Sequence, residues 1–216
     1  MNSIFVSRRV RWGLTAYGYL TVAVIICLSL YLMFRNLYSI LAPVNREQTK
    51  VLVLEGFVSD FVFQCAIREF NDYHYTLLLT TGTPVEYGGM LIPYRNTARV
   101  AGMSMLKLGL DSTKLVIIES DEIRNDRTYN SAVKLKQWIR ANRPDIKAIN
   151  LMTMGAHGGR SQLLFEAALG DSIRVGIISV PNLYYGSDSW WKSGKGFRET
   201  MNETFGYFYT RFFFHP

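Results

Sequence analysis

The sequence predicts an α/β fold, an open sheet of about five mostly parallel strands with helices on both faces, preceded by one transmembrane helix. Three observations predict it. Trp12–Phe34 runs about 23 residues without a charge, enough to cross the ~30 Å hydrocarbon core of a bilayer as a helix. From residue 50 onward, short β-rich apolar runs alternate with longer helical patterns. The short runs are apolar at every position rather than at alternate ones, so both faces of the sheet are covered, as in parallel sheets.

The apolar span is preceded by Arg8, Arg9 and Arg11 and followed by Arg35. A helix of a soluble domain needs a polar face, and this one has none. The positive flank places the N-terminus, residues 1–11, in the cytoplasm, with residues 12–34 as the span. The C-terminal domain is then expected on the outer, periplasmic side of a bacterial inner membrane. A cleaved signal peptide is the rival. The span exceeds an ordinary h-region, and Ile40-Leu41-Ala42 before Pro43 is a poor cleavage site. Residues 35–49 read as a polar linker and 50–216 as one domain.

Within the domain, Lys50–Leu54 (KVLVL) reads as the first strand and Ser59–Tyr73 as a helix burying Phe63, Ile67 and Phe70. Tyr75–Thr80 is the second strand. Tyr94–Leu108 is a helix with the small residues Ala98, Ala101 and Gly102 for close packing. Lys114–Glu119 is the third strand, and Thr128–Asn142 a helix with Ala132, Leu135 and Ile139 inward and Pro144 beyond its end. Ala148–Thr153 is the fourth strand, and Arg160–Leu169 a helix closed by Gly170. Ile173–Val180 is the fifth strand, stopped by Pro181. A last helix covers Gly196–Phe213.

In an open α/β sheet, ligands sit beyond the carboxyl ends of the strands, near the switch in strand order. The residues there are Glu55 and Gly56 after the first strand, and Thr81 and Gly82 after the second. Arg127 and Thr128 follow the third, and His157, Arg160 and Ser161 the fourth. Glycines and helix starts offer backbone amides to an anion. Arg127 and Arg160 each carry a planar fork suited to phosphate or carboxylate, although Arg127 can equally pair with Glu119 or Asp126. His157 is the candidate acid or base near neutral pH. Thr128 is also a candidate helix cap.

Several function classes are excluded. Neither a dinucleotide fingerprint, a phosphate-binding P-loop nor a nucleophile elbow occurs, and the three histidines are too scattered for a zinc motif. Net charge is +7, but four basic residues flank the apolar span, and the remainder exceed the 17 acidic ones only slightly. That argues against nucleic acid and suits a domain beside anionic headgroups. Cys27 lies in the span and Cys65 in the domain, so no disulfide joins them. Trp190-Trp191 reads either as a lid over the sheet edge or as a stacking surface for a sugar or headgroup. The aromatic run from Phe205 to Phe214 reads as a core helix with a frayed end or as an interfacial contact.

Thr153-Met-Gly-Ala-His157-Gly-Gly-Arg160-Ser161 and Arg127-Thr128-Tyr129-Asn130-Ser131-Ala132, with Trp190-Trp191, Gly196-Phe197-Arg198 and Glu199/Glu203, are arranged in an order that resembles the ElyC/SanA/YdcF family. The likeness covers residues 50–213. It implies a Rossmann-like domain behind a membrane anchor and a role in cell-envelope integrity or lipid-carrier metabolism, without a settled reaction or a known cofactor. The acidic residue and first Asn of the family's third-strand segment have no counterpart here, and the first strand ends in Glu55-Gly56 rather than a glycine-rich loop.

Three functions follow as expectations. The first is an anchored envelope protein that binds a phosphorylated or lipid-linked precursor, with action on it left open. The second is a non-catalytic scaffold or ligand-binding protein of envelope assembly. The third is a cytosol-facing nucleotide or S-adenosylmethionine binder, which outward orientation disfavours.

Overall fold

The computed structural model describes residues 14–85, 93–121 and 125–215. The chain divides into two compact units, residues 1–37 and 38–216. Arg8, Arg9, Arg11 and Trp12, on which the orientation rests, lie outside the described residues.

Helix α1 spans Ala16–Leu41 and is long and apolar enough to cross a membrane. Leu20, Val24, Ile25, Leu28 and Met33 point outward on all sides, so no polar stripe interrupts its surface. The helix does not stop at Phe34. It continues to Leu41, and Pro43 then prevents it from going further.

Residues 38–49 are counted with the α/β unit. Tyr38 and Leu41 are buried, and strand β1 (Val44–Asn45) pairs antiparallel with residues 177–178. The side-chain oxygen of Asn150 accepts from the Glu47 amide at 2.7 Å, and Arg46 forks onto Glu69 at 2.7 and 2.9 Å. An extended segment beside a sheet edge satisfies its backbone there, and this one does so.

The remaining strands are β2 (Val51–Glu55), β3 (Leu77–Gly82), β4 (Leu115–Glu119), β5 (Ala148–Met154) and β6 (Arg174–Val180). The helices are α2 (Asp60–Asp72), α3 (Thr97–Lys107), α4 (Arg127–Asn142), α5 (Gly158–Leu169) and α6 (Gly194–Phe212). The sheet order is β1-β6-β5-β2-β3-β4, parallel throughout except at β1. The five expected parallel strands are present, and β1 adds a sixth at the edge.

Strand alternation builds two cores. Val51, Val53, Leu79, Ile149 and Leu151 face α4 and α5, where Leu135, Ile139 and Phe165 meet them. Leu52, Leu54, Leu78 and Met152 face α2 and α3, against Phe63, Phe70 and Met105. This is why the strands are apolar at every position. Cys65 on α2 is half-buried, and that burial pushes its thiol up from the ordinary value.

The strand order reverses between β2 and β5. Chain order runs outward from β2 to β3 and β4, then returns to the other side of β2. The crevice of such a sheet opens at that point, beyond the carboxyl ends of β2 and β5. Glu55 ends one of these strands, and His157 follows the other after one turn of 3₁₀ helix, Gly155–His157.

Candidate functional site

A cleft of about 540 Å³ opens at this switch point. Glu55, Thr81, Gly82, Arg127, Thr128, His157 and Arg160 all line it, so most of the strand-end residues share one site. Gly56 and Ser161 are not in its wall. Its far side is formed by α6 through Gly206, Tyr209 and Thr210.

Gly56 and Gly82 are both packed tightly against the start of α3. A Cβ on Gly56 would strike the carbonyl of Thr97, and one on Gly82 would strike the Thr97 hydroxyl and the Ala98 amide. The first turn of α3 thus sits directly on the ends of β2 and β3. Its amides are already taken: Thr97 N donates to the Thr83 carbonyl at 2.9 Å, and Ala98 N to the Asn96 side-chain oxygen at 2.9 Å. Asn96 is the cap of α3.

Ser161 is fully buried, and its hydroxyl donates to Oε2 of Glu55 at 2.8 Å. Glu55 is itself only 2% exposed. Ser161 therefore holds the carboxylate that lines the cleft. Thr128 lies in the first turn of α4 but is not its cap, a place taken by Asp126 in the left-handed conformation (φ 53°). Glu119 is paired with Arg99 at 2.6 Å.

The chemical centre is His157. Its Nδ1 lies 2.9 Å from Oε1 of Glu203, a residue of α6. A carboxylate only accepts, so the shared proton sits on Nδ1 and the lone pair falls on Nε2. Nε2 has no hydrogen-bond partner, and its closest charged neighbour is Oε2 of Glu55 at 3.9 Å. The hydroxyl of Thr81, in the same wall, also lacks a partner. The ring of Phe57 stands edge-on to the imidazole at 5.0 Å between centroids.

Arg160 does not project a free fork into the cleft. Its Nε donates to Oε2 of Glu203 at 2.8 Å and its Nη2 to Oε1 at 3.2 Å. Nη2 also comes within 3.1 Å of His157 Nδ1, but with the proton on Nδ1 that approach is a contact rather than a bond. Burial works to raise the Glu203 carboxyl, but the hydrogen bonds from His157 and Arg160 and the Arg160 charge outweigh it and hold it at about 2. Burial opposes the Arg160 charge as well. The bonds to Glu203 and the charges of Glu203 and Glu55 more than offset that effect.

Glu203 is the site residue that strand-end reasoning missed. It lies within α6, well beyond the last strand, and only the Glu199/Glu203 pair quoted in the family resemblance marks it. Trp190 is fully buried, stacked on Phe197 and edge-on to Trp191, which makes it a packing residue of the loop before α6.

Fold and site together define an open-sheet α/β domain with a histidine–carboxylate pair at the switch point of its sheet. No family model, no curated protein and no solved structure matches the chain.

Proposed function

We propose that this chain is a single-pass membrane protein whose α/β domain binds and turns over a phosphorylated or lipid-linked cell-envelope precursor, with His157 moving the proton. The observation that carries this is the buried, unpartnered Nε2 of His157, on a ring that lines the cleft and is held through Nδ1 by Glu203. Buried polar atoms in native proteins are normally bonded, and one left open in a cleft wall points to a ligand. A histidine held by a carboxylate is the usual arrangement for general base work.

The anionic part of the precursor is drawn to the cleft by Arg127 at the start of α4. Arg160 acts as a positioning residue, since its fork is spent on Glu203. The apolar helix α1 supports the membrane location, and the positive N-terminal flank and the family resemblance support the envelope side.

The test compares lipid extracts from a bacterial strain lacking this chain, restored with the natural sequence or with His157→Gln at matched membrane levels. The natural chain should consume a phosphorylated lipid-linked species that His157→Gln leaves in place. Equal consumption by both would transfer the chain to the scaffold reading.

A further inference from the structure

Behind His157 lies a second, smaller cavity of about 200 Å³. It meets the main cleft at His157 and Phe57, which line both. Its other walls come from Met154 and Ala156 at the end of β5, from the loop after β6 through Asn182 and Tyr185, and from α6 through Glu199, Asn202 and Glu203. The helix supplies Glu199, Asn202, Glu203 and Gly206 from one stripe, at i, i+3, i+4 and i+7. One face of α6 therefore borders both cavities.

The two cavities differ in chemistry. The main cleft is walled by Arg127 and Arg160 together with Glu55 and Asp126. The small one is lined by two carboxylates and two amides, and by neither Lys nor Arg among the described residues. Glu199 is held in place: its Oε2 accepts from the Tyr185 hydroxyl at 2.9 Å and from Asn182 Nδ2 at 3.0 Å. The nearest cation to its other oxygen is Lys195, at 3.7 Å on the helix exterior. A phosphate placed here would face the Glu199 carboxylate, while Glu203 is already paired with Arg160. A neutral ring carrying hydroxyls would find acceptors in Glu199, donors and acceptors in Asn202, and flat apolar surface on Tyr185 and Phe57.

We infer that the small cavity is a subsite for a neutral, hydroxylated ring, a sugar, joined to the phosphate held in the main cleft. The inference rests on the proposed acid–base role of His157, because it places the linking bond at Nε2. It names the substrate class as a glycosyl phosphate. The volume admits one ring, well below the span of a drug-sized pocket.

The test is binding to the full chain in lipid nanodiscs with three soluble probes: inorganic phosphate, methyl glucoside and glucose 1-phosphate. Glucose 1-phosphate should bind about tenfold more tightly than phosphate, a difference that one or two good hydrogen bonds supply. Asn202→Ala and Glu199→Gln should each bring glucose 1-phosphate back towards the phosphate value and leave phosphate itself unchanged. Asn202 is exposed, so its variant stands even if the Glu199 variant fails to fold. Equal affinity for phosphate and glucose 1-phosphate, or discrimination untouched by Asn202→Ala, would overturn the subsite. Polyprenyl phosphoglucose placed in the same nanodisc distinguishes the sources: tighter binding than the free ester assigns the lipid-linked form, and no gain assigns the soluble one. Discrimination retained in His157→Gln keeps the subsite even where turnover shows that the histidine moves no proton.

Discussion

Nδ1 of His157 lies 2.9 Å from Oε1 of Glu203, 46 positions along the chain. That contact holds the ring and leaves Nε2 as its nitrogen without a hydrogen-bond partner. It also joins the fourth parallel strand's loop to the C-terminal helix, so the site depends on α6 being docked.

Replacing His157 by Gln keeps a hydrogen-bonding side chain of similar reach and removes the titratable nitrogen. Turnover should fall ~10²–10⁴-fold with the fold intact. Glu203→Gln should lower turnover less and should shift the pH profile, because the ring loses its negative partner. Steady-state kinetics across pH 5–9 checks both. A profile unchanged in Glu203→Gln would reduce Glu203 to a packing residue.

Acid stability should report Glu203 directly. Its carboxyl titrates at about 2 in the folded chain against an ordinary 4.5. A depressed folded value means that ionisation stabilises the fold. The contribution is complete above pH 4.5 and is lost as pH falls towards 2, amounting to about 3 kcal/mol. Urea denaturation of the full chain in detergent, followed by tryptophan fluorescence between pH 2 and 5, should show this slope. Glu203→Gln should flatten it.

Arg160→Lys keeps the charge and loses the planar fork. Because that fork is spent on Glu203, phosphate affinity should change by about threefold or less, and the acid slope of Glu203 should shrink. Arg127→Gln should instead weaken phosphate, read by ³¹P line broadening. A large affinity loss in Arg160→Lys would return the anion-gripping role to Arg160.

Gly206→Ala places a Cβ 2.8 Å from Cδ of Arg160. The arginine must move, and its bond from Nε to Glu203 with it. The variant should fold normally and copy the weakened acid slope of Arg160→Lys. An unaltered slope would mean that Arg160 has room to swing while keeping both bonds.

Gly56→Ala and Gly82→Ala should each destabilise by about 1–3 kcal/mol, since the added Cβ meets the backbone of α3's first turn or the Thr97 hydroxyl. Gly194→Ala, where nothing lies within 4 Å, is the control and should leave stability unchanged. Urea midpoints of the three variants check the comparison.

The repeating pattern of apolar runs and helices determined the five parallel strands, because a sheet covered on both faces leaves that mark in local composition. The membrane-length helix was equally legible, since it depends only on an unbroken apolar stretch. The strand-end rule likewise brought His157, Arg127, Arg160, Thr81 and Glu55 to one cleft. What Arg160 and Ser161 do there was decided only in three dimensions. Each is paired with a carboxylate distant in sequence, 43 positions away for Arg160 and 106 for Ser161. The same holds for β1, whose two residues carry no strand signal and pair only because the edge of β6 is open to them. Local propensity and periodicity record which face a residue shows. They do not record which side chain from another element will meet it, and at this site that meeting sets the tautomer, the charge and the direction of His157.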